Sequence, residues 1–97
     1  MTARFVCEDN KRKVVKDARG RCALCGGNAA DDPHHWYRTV GSGGGDFILN
    51  LIACCRKCHQ LAHAGIIALT KIAEVVGMRE GLPAVRVIQK LEELHSA

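Results

Sequence analysis

Aromatic side chains are scarce in this chain. Phe5, Trp36, Tyr37 and Phe47 are the whole set in 97 residues. A single domain of this length buries a modest core, and small folds of this kind commonly depend on a staple, either disulfides or a metal. No apolar run approaches the roughly 18 residues a membrane span requires, so no membrane partner is expected. The start, Met1-Thr2-Ala3-Arg4-Phe5-Val6-Cys7-Glu8, turns charged before any hydrophobic run develops, so no secretory leader is expected. A cytoplasmic setting follows as the expectation. Thiols stay reduced there, and paired cysteines more often hold a metal than each other. The glycine run at 41–45 lacks the Lys-Ser/Thr and the strand-to-helix context of a phosphate loop. No solenoid repeat is present. No thioredoxin-like βαβ context surrounds the C-x-x-C pairs, which argues against a redox protein. The ordinary apolar fraction argues against wholesale disorder.

What charge there is lies in one place. The net charge is +4. Residues 1–21 hold Arg4, Lys11, Arg12, Lys13, Lys16, Arg19 and Arg21 against Glu8, Asp9 and Asp17, which accounts for the entire excess. Nucleic acid is a natural partner for that segment, and a solvated helix face is the other reading.

Residues 8–19 read as a helix with Val14, Val15 and Ala18 as its apolar stripe and Gly20 ending it. Residues 34–40 and Phe47-Ile48-Leu49 are rich in strand formers, with a glycine-rich connection between them. That pattern predicts a β-hairpin with a long loop. A helix is expected from near Arg56 until Gly65 interrupts it. Residues 66–76 place Ile66, Leu69, Ile72, Ala73 and Val76 on one helical face, with Gly77 suited to the C-terminus. Pro83 suits the first turn of a last helix carrying Val87, Ile88, Leu91 and Leu94. These stripes read as core packing, with a dimer interface as the alternative.

The chemistry-bearing residues cluster between these elements. Cys22-x-x-Cys25 and Cys55-x-x-Cys58 are two pairs separated by 29 residues. Each pair can grip a tetrahedral ion from one turn, and four thiolates leave no open position, so this site reads as structural Zn²⁺. Small residues after Cys25 let backbone amides point at the sulfurs. Cys7 and Cys54 are left as ordinary thiols. Histidines 34, 35, 59 and 63 exceed what one zinc needs. His59 and His63 lie one helical turn apart on one face and could share an ion. Adjacent His34 and His35 should face opposite sides of a strand, one toward that helix and one toward a substrate.

The segment Arg21–His63 closely resembles the HNH endonucleases, whose shared unit is a ββα-metal finger. The signature reads as His34-His35, Asn50, then His59 with His63. The two C-x-x-C knuckles resemble the zinc-stapled branch of that family. The resemblance covers about 45 of the 97 residues and leaves the outer helices uncovered. With the helical patterns read above, the expectation is an α+β fold in one domain, 1–97: a finger at about 21–65 stapled by the four-cysteine zinc site, flanked by an N-terminal helix and two C-terminal helices (8–19 and 66–95). The resemblance supplies the ligand and catalytic assignments. It implies that His34, His59 and His63 hold a catalytic divalent ion (Mg²⁺, Mn²⁺ or another transition metal) and that His35 is the general base. Asn50 would orient the loop bearing His35, and Asp32 could support a ligand histidine. Many relatives have aspartate where His34 stands. Arg38, Arg56 and Lys57 could clamp phosphates, and Lys11, Arg12, Lys13 and Lys16 could reach further along double-stranded DNA. Small stand-alone proteins that look like this occur in phage and prophage settings, so larger phage or host machinery is a conceivable partner. The implied activity is hydrolysis of DNA phosphodiester bonds with low sequence specificity. The alternative is a zinc-stapled nucleic-acid-binding module without catalysis.

Overall fold

The computed structural model describes residues 4–30 and 32–95. The part of the leader expectation that concerns Met1 to Ala3 lies outside the described residues. The fold is a small α+β globule, as expected: an N-terminal helix, an antiparallel strand pair and C-terminal helices.

Helix α1 spans Glu8–Asp17, with Glu8 and Asp9 in its first turn and Lys16 in its last. That charge order complements the helix dipole. Its end is enforced by left-handed backbone at Arg19 (φ 56°) and Gly20 (φ 71°). Strand β1 is His34–His35 and strand β2 is Leu51–Ile52. They pair antiparallel, His34 opposite Ile52 and His35 opposite Leu51. Helices α2 (Arg56–His63), α3 (Leu69–Glu80) and α4 (Ala84–His95) follow.

The hairpin is shorter and shifted from the sequence expectation. Residues 36–40 leave the strand, and residues 40–42 and 48–50 form 3-10 turns. The second strand begins at Leu51, not Phe47. Phe47 is used elsewhere: its ring stacks on Phe5, with centroids 4.7 Å apart. Residues of high strand propensity were drawn into a turn by this long-range contact, since tertiary packing overrides strand propensity.

The segment 51–54 is buried on both faces. Its alternation sorts the core into two halves. Leu51 and Ala53 pack with Val14 of α1. Ile52 and Cys54 face the other way, into a cluster with Trp36, Ile72, Ala73, Val76, Val87 and Leu91. Paired residues on neighbouring strands share a face. His34 therefore lies on the Ile52 side and His35 on the Leu51 side. Arg79 ties α3 to this centre by donating to Leu51 O and Ile48 O, both at 2.7 Å.

Two expectations about the third helix are corrected. It runs to Glu80, so Gly77 lies inside it, and Gly81 (φ 74°) is the left-handed cap. Ile66 and Leu69 are exposed at 71% and 51%, because the helix starts only at Leu69 and turns Ile72, Ala73 and Val76 inward. Gly77 has a different task. The chain folds back after Gly81, and Leu82 N–H bonds Gly77 O at 2.9 Å. A Cβ at Gly77 would collide with the Leu82 carbonyl oxygen. Alanine normally stabilises a helix interior relative to glycine. Here Gly77→Ala should instead destabilise by roughly 1–3 kcal/mol, the usual cost of overpacking. A lower urea midpoint at unchanged zinc content would be the expected result. A midpoint at or above wild type would show that the close approach at Leu82 is absent in solution.

Candidate functional site

The two cysteine turns meet across the fold. Arg21 and Asn28 form a single antiparallel bridge that closes the first turn. Within it Gly26, at φ 81°, allows the reversal. The second turn is the N-terminus of α2, where Cys55 is the N-cap and its sulfur accepts from Cys58 N at 3.4 Å. The amides of Leu24 and Gly27 point at Cys22 Sγ and Cys25 Sγ at 3.4 and 3.5 Å. The four sulfurs of Cys22, Cys25, Cys55 and Cys58 all lie within 4.8 Å of one another.

Distance separates metal from disulfide here. Cys25 Sγ and Cys55 Sγ are 3.7 Å apart. A disulfide needs about 2.05 Å. A tetrahedral zinc with bonds of about 2.3 Å sets its sulfurs about 3.8 Å apart. The electrostatics of the four thiols are divided. Burial opposes ionisation of Cys22, but amides from Cys55, Cys25 and Leu24 outweigh it and bring the thiol down to about 6. Burial, then hydrogen bonding to Cys55, Cys22 and Cys25, pushes Cys58 the opposite way. All four sulfurs can ionise together only with a cation among them, and the cluster is consistent with a structural Zn²⁺. Cys54 stands apart: burial, then the negative charge of Cys22 and Cys55, pushes it up to about 12, so it stays a thiol.

A second cluster lies beside the first. The imidazoles of His34, His59 and His63 bring one donor nitrogen each to within 4.8 Å of one another. Their ring centroids are 4.0 Å (His34–His59), 4.8 Å (His59–His63) and 5.3 Å (His34–His63) apart. β1 supplies the first and one face of α2 the other two. Burial, then the neighbouring His59 and His63, lowers His34 to about 4. Burial and His63 lower His59 as well. Neutral imidazoles offer the lone pairs a metal needs. The donor set is three nitrogens, which suits a transition ion better than Mg²⁺, a cation that prefers oxygen.

These residues line one open groove of about 1170 Å³, together with His35, Asp32 and Arg56. His35 follows His34 on β1, alternating with it on the strand while still bordering this groove. Its Nε2 lies 2.6 Å from Asp46 Oδ1. The carboxylate that meets a histidine, among the described residues, is thus Asp46 and not Asp32. Sequence reasoning missed it, although Asp46 is the only acid between His35 and Asn50. Burial opposes its ionisation, but hydrogen bonds from His35 and Cys7 N–H, with Arg4 nearby, hold its carboxyl below the usual range.

Asn50 is fully buried and bridges the loop. Its Oδ1 accepts from Tyr37 N and Arg38 N, both at 3.0 Å. Its Nδ2 donates to Arg38 O and Gly45 O at 2.9 and 3.0 Å. Arg38, Arg56 and Lys57 are exposed. On α1, Lys11 pairs with Glu8, Arg12 with Asp9 and Lys13 with Asp17, at 2.6–2.9 Å. Lys16 is exposed. No helix among the described residues is long and apolar enough to cross a membrane. No family model, curated protein or solved structure matches this chain.

Two outcomes follow from the clusters. Cys22, Cys25, Cys55 and Cys58 should resist a thiol reagent in the native protein and react after chelation, as followed by mass shift. Ready reaction without chelator would remove the zinc site. The depressed His34 carries a sign. As pH falls below 6.5, the unfolded chain takes up its proton before the folded one does. Stability is therefore present above about 6.5 and is lost toward 4. Urea midpoints of zinc-loaded protein without a second metal should fall from pH 7 to 5, and less steeply in His34→Asn. Equal slopes would contradict the buried, neutral imidazole.

Proposed function

We propose that the chain is a metal-dependent endonuclease of the HNH type, hydrolysing DNA phosphodiester bonds. The observation that carries this reading is the convergence of three histidine donors in a groove that a fourth histidine also lines, beside a separate tetrathiolate cluster. A structural zinc alone would leave those four histidines without a task.

His34, His59 and His63 would hold the divalent ion. That ion would stabilise the negative charge building on the phosphoryl oxygens and the departing 3′ oxygen. His35 would take a proton from water as the water oxygen bonds phosphorus. The bond from phosphorus to the 3′ oxygen then breaks, and that oxygen takes a proton from solvent. Asn50 holds the Tyr37–Arg38 and Gly45 backbone together, which keeps the loop after His35 in register. Arg56, beside the groove, and Arg38 and Lys57 supply cations for phosphates. The ion pairs of Lys11, Arg12 and Lys13 are surface pairs of small worth, so a polyanion can displace them at little cost. Together with Lys16 they extend the contact along a duplex. Such contacts read no sequence, so cleavage would be of low specificity.

The test is supercoiled plasmid incubated with wild type and His35→Ala across Mg²⁺, Mn²⁺, Co²⁺, Ni²⁺ and Zn²⁺. Wild type should nick, best with a transition ion. His35→Ala should lose about 10²-fold or more in rate, the usual worth of a general base, while keeping its zinc and its DNA affinity. A wild type that nicks with none of these ions would leave the zinc-stapled nucleic-acid-binding module as the reading.

A further inference from the structure

We propose that Asp46 is the positioning residue for His35: its buried carboxylate fixes the imidazole as the Nε2–H tautomer, leaving the Nδ1 lone pair for the groove, and residues 4–10 hold that carboxylate in place. The inference rests on His35 being the proton acceptor of the proposed reaction.

The geometry begins with donors and acceptors. Asp46 is fully buried. Its Oδ1 lies 2.6 Å from His35 Nε2 and 3.0 Å from Arg4 Nη1. Its Oδ2 accepts from Cys7 N at 2.9 Å. An ionised carboxylate only accepts, so the proton of a neutral His35 must sit on Nε2. Nδ1 then keeps its lone pair. His35 lines the groove and its side chain is 14% exposed. One ring edge is therefore committed to Asp46, and the tautomer that results is the one with a basic nitrogen to spare. The metal trio has no such partner: among the described residues, His35 is the histidine that meets a carboxylate.

The N-terminal segment supplies the frame. Asp46 N–H donates to Phe5 O at 2.9 Å, and Asp46 O accepts from Asn10 Nδ2 at 2.9 Å. Arg4, Phe5, Cys7 and Asn10 thus bind both the backbone and the carboxylate of one residue. The Phe5–Phe47 stack closes over the same loop. A Cβ at Gly45 would press on the Phe47 ring and on the Phe5 Cβ, so the loop accepts little else there. An amide cannot replace the carboxylate. Three donors converge on its two oxygens, and an NH₂ at either end would face a donor. Turned toward His35, it would favour the opposite tautomer, with Nδ1–H in the groove and no acceptor for a proton.

The experiment uses the full zinc-loaded chain. Long-range ¹H–¹⁵N NMR of the imidazoles in wild type should show His35 as the Nε2–H tautomer. An Nδ1–H tautomer would overturn the proposal. In Asp46→Asn, kcat for plasmid nicking should fall by about 10²-fold or more at unchanged KM, with the His35 tautomer switched or mixed. A wild-type kcat with an unchanged tautomer would overturn it. Should Asp46→Asn fail to fold, Arg4→Gln removes one donor from the same oxygen at a partly exposed position. A mixed tautomer and a several-fold lower kcat are expected there, and wild-type values for both would remove the N-terminal segment from the arrangement. The tautomer spectrum needs no activity, so it tests Asp46 even if wild type cuts no DNA. Nicking by a wild type whose His35 is Nδ1–H would keep the nuclease and sink the dyad.

Discussion

Four sulfurs from two turns, 30 residues apart between Cys25 and Cys55, must meet at one point. Everything between the turns is bound by that requirement. The connection has to leave the first knuckle, cross the fold and return to the N-terminus of α2. The β1–β2 pair is the part of this excursion that hydrogen-bonds, and β2 is buried on both faces because α1 lies on one side and the α3–α4 pair on the other. In a chain with four aromatic residues, a Zn²⁺ held by these four sulfurs would supply a large share of the definition of a core of this size.

The same closure places the histidines. Cys58 and His59 are consecutive on α2, so one side chain enters the thiolate cluster while the next faces the groove. His63 follows one turn later on the groove side. His34 arrives opposite them because its strand partner is Ile52, two residues before Cys54. Disrupting the four-cysteine cluster would therefore displace the three histidines without touching them. Coupling of this kind explains why a small protein can present three converging imidazoles on a two-residue strand and a two-turn helix.

Spacing made much of this legible. Two C-x-x-C pairs have few alternatives at this length, and an i, i+4 histidine pair on a helix can point only one way. The alternation of His34 and His35 needs only a strand, however short. Other features depend on contacts distant in sequence. Phe47 and Ile48 have strand propensity, but Phe5 captures Phe47 and the strand starts later. Gly77 looks like a helix terminus until Leu82 folds back over it. Asp46 lies in a glycine run with no local pattern around it, and its partners Arg4, Cys7 and Asn10 are some 36–42 residues away. The α1 lysines and arginine look free in a list of charges, yet three of them already pair with acids one turn away.

The division into two metal sites is the central claim, and X-ray absorption on protein loaded with Zn²⁺ and then with Co²⁺ or Mn²⁺ tests it most directly. The zinc edge should fit four sulfurs at about 2.3 Å. The edge of the second metal should fit nitrogen and oxygen neighbours with no sulfur. A single ion bound by a mixture of sulfur and imidazole, or a second metal that competes for the thiolates, would contradict it.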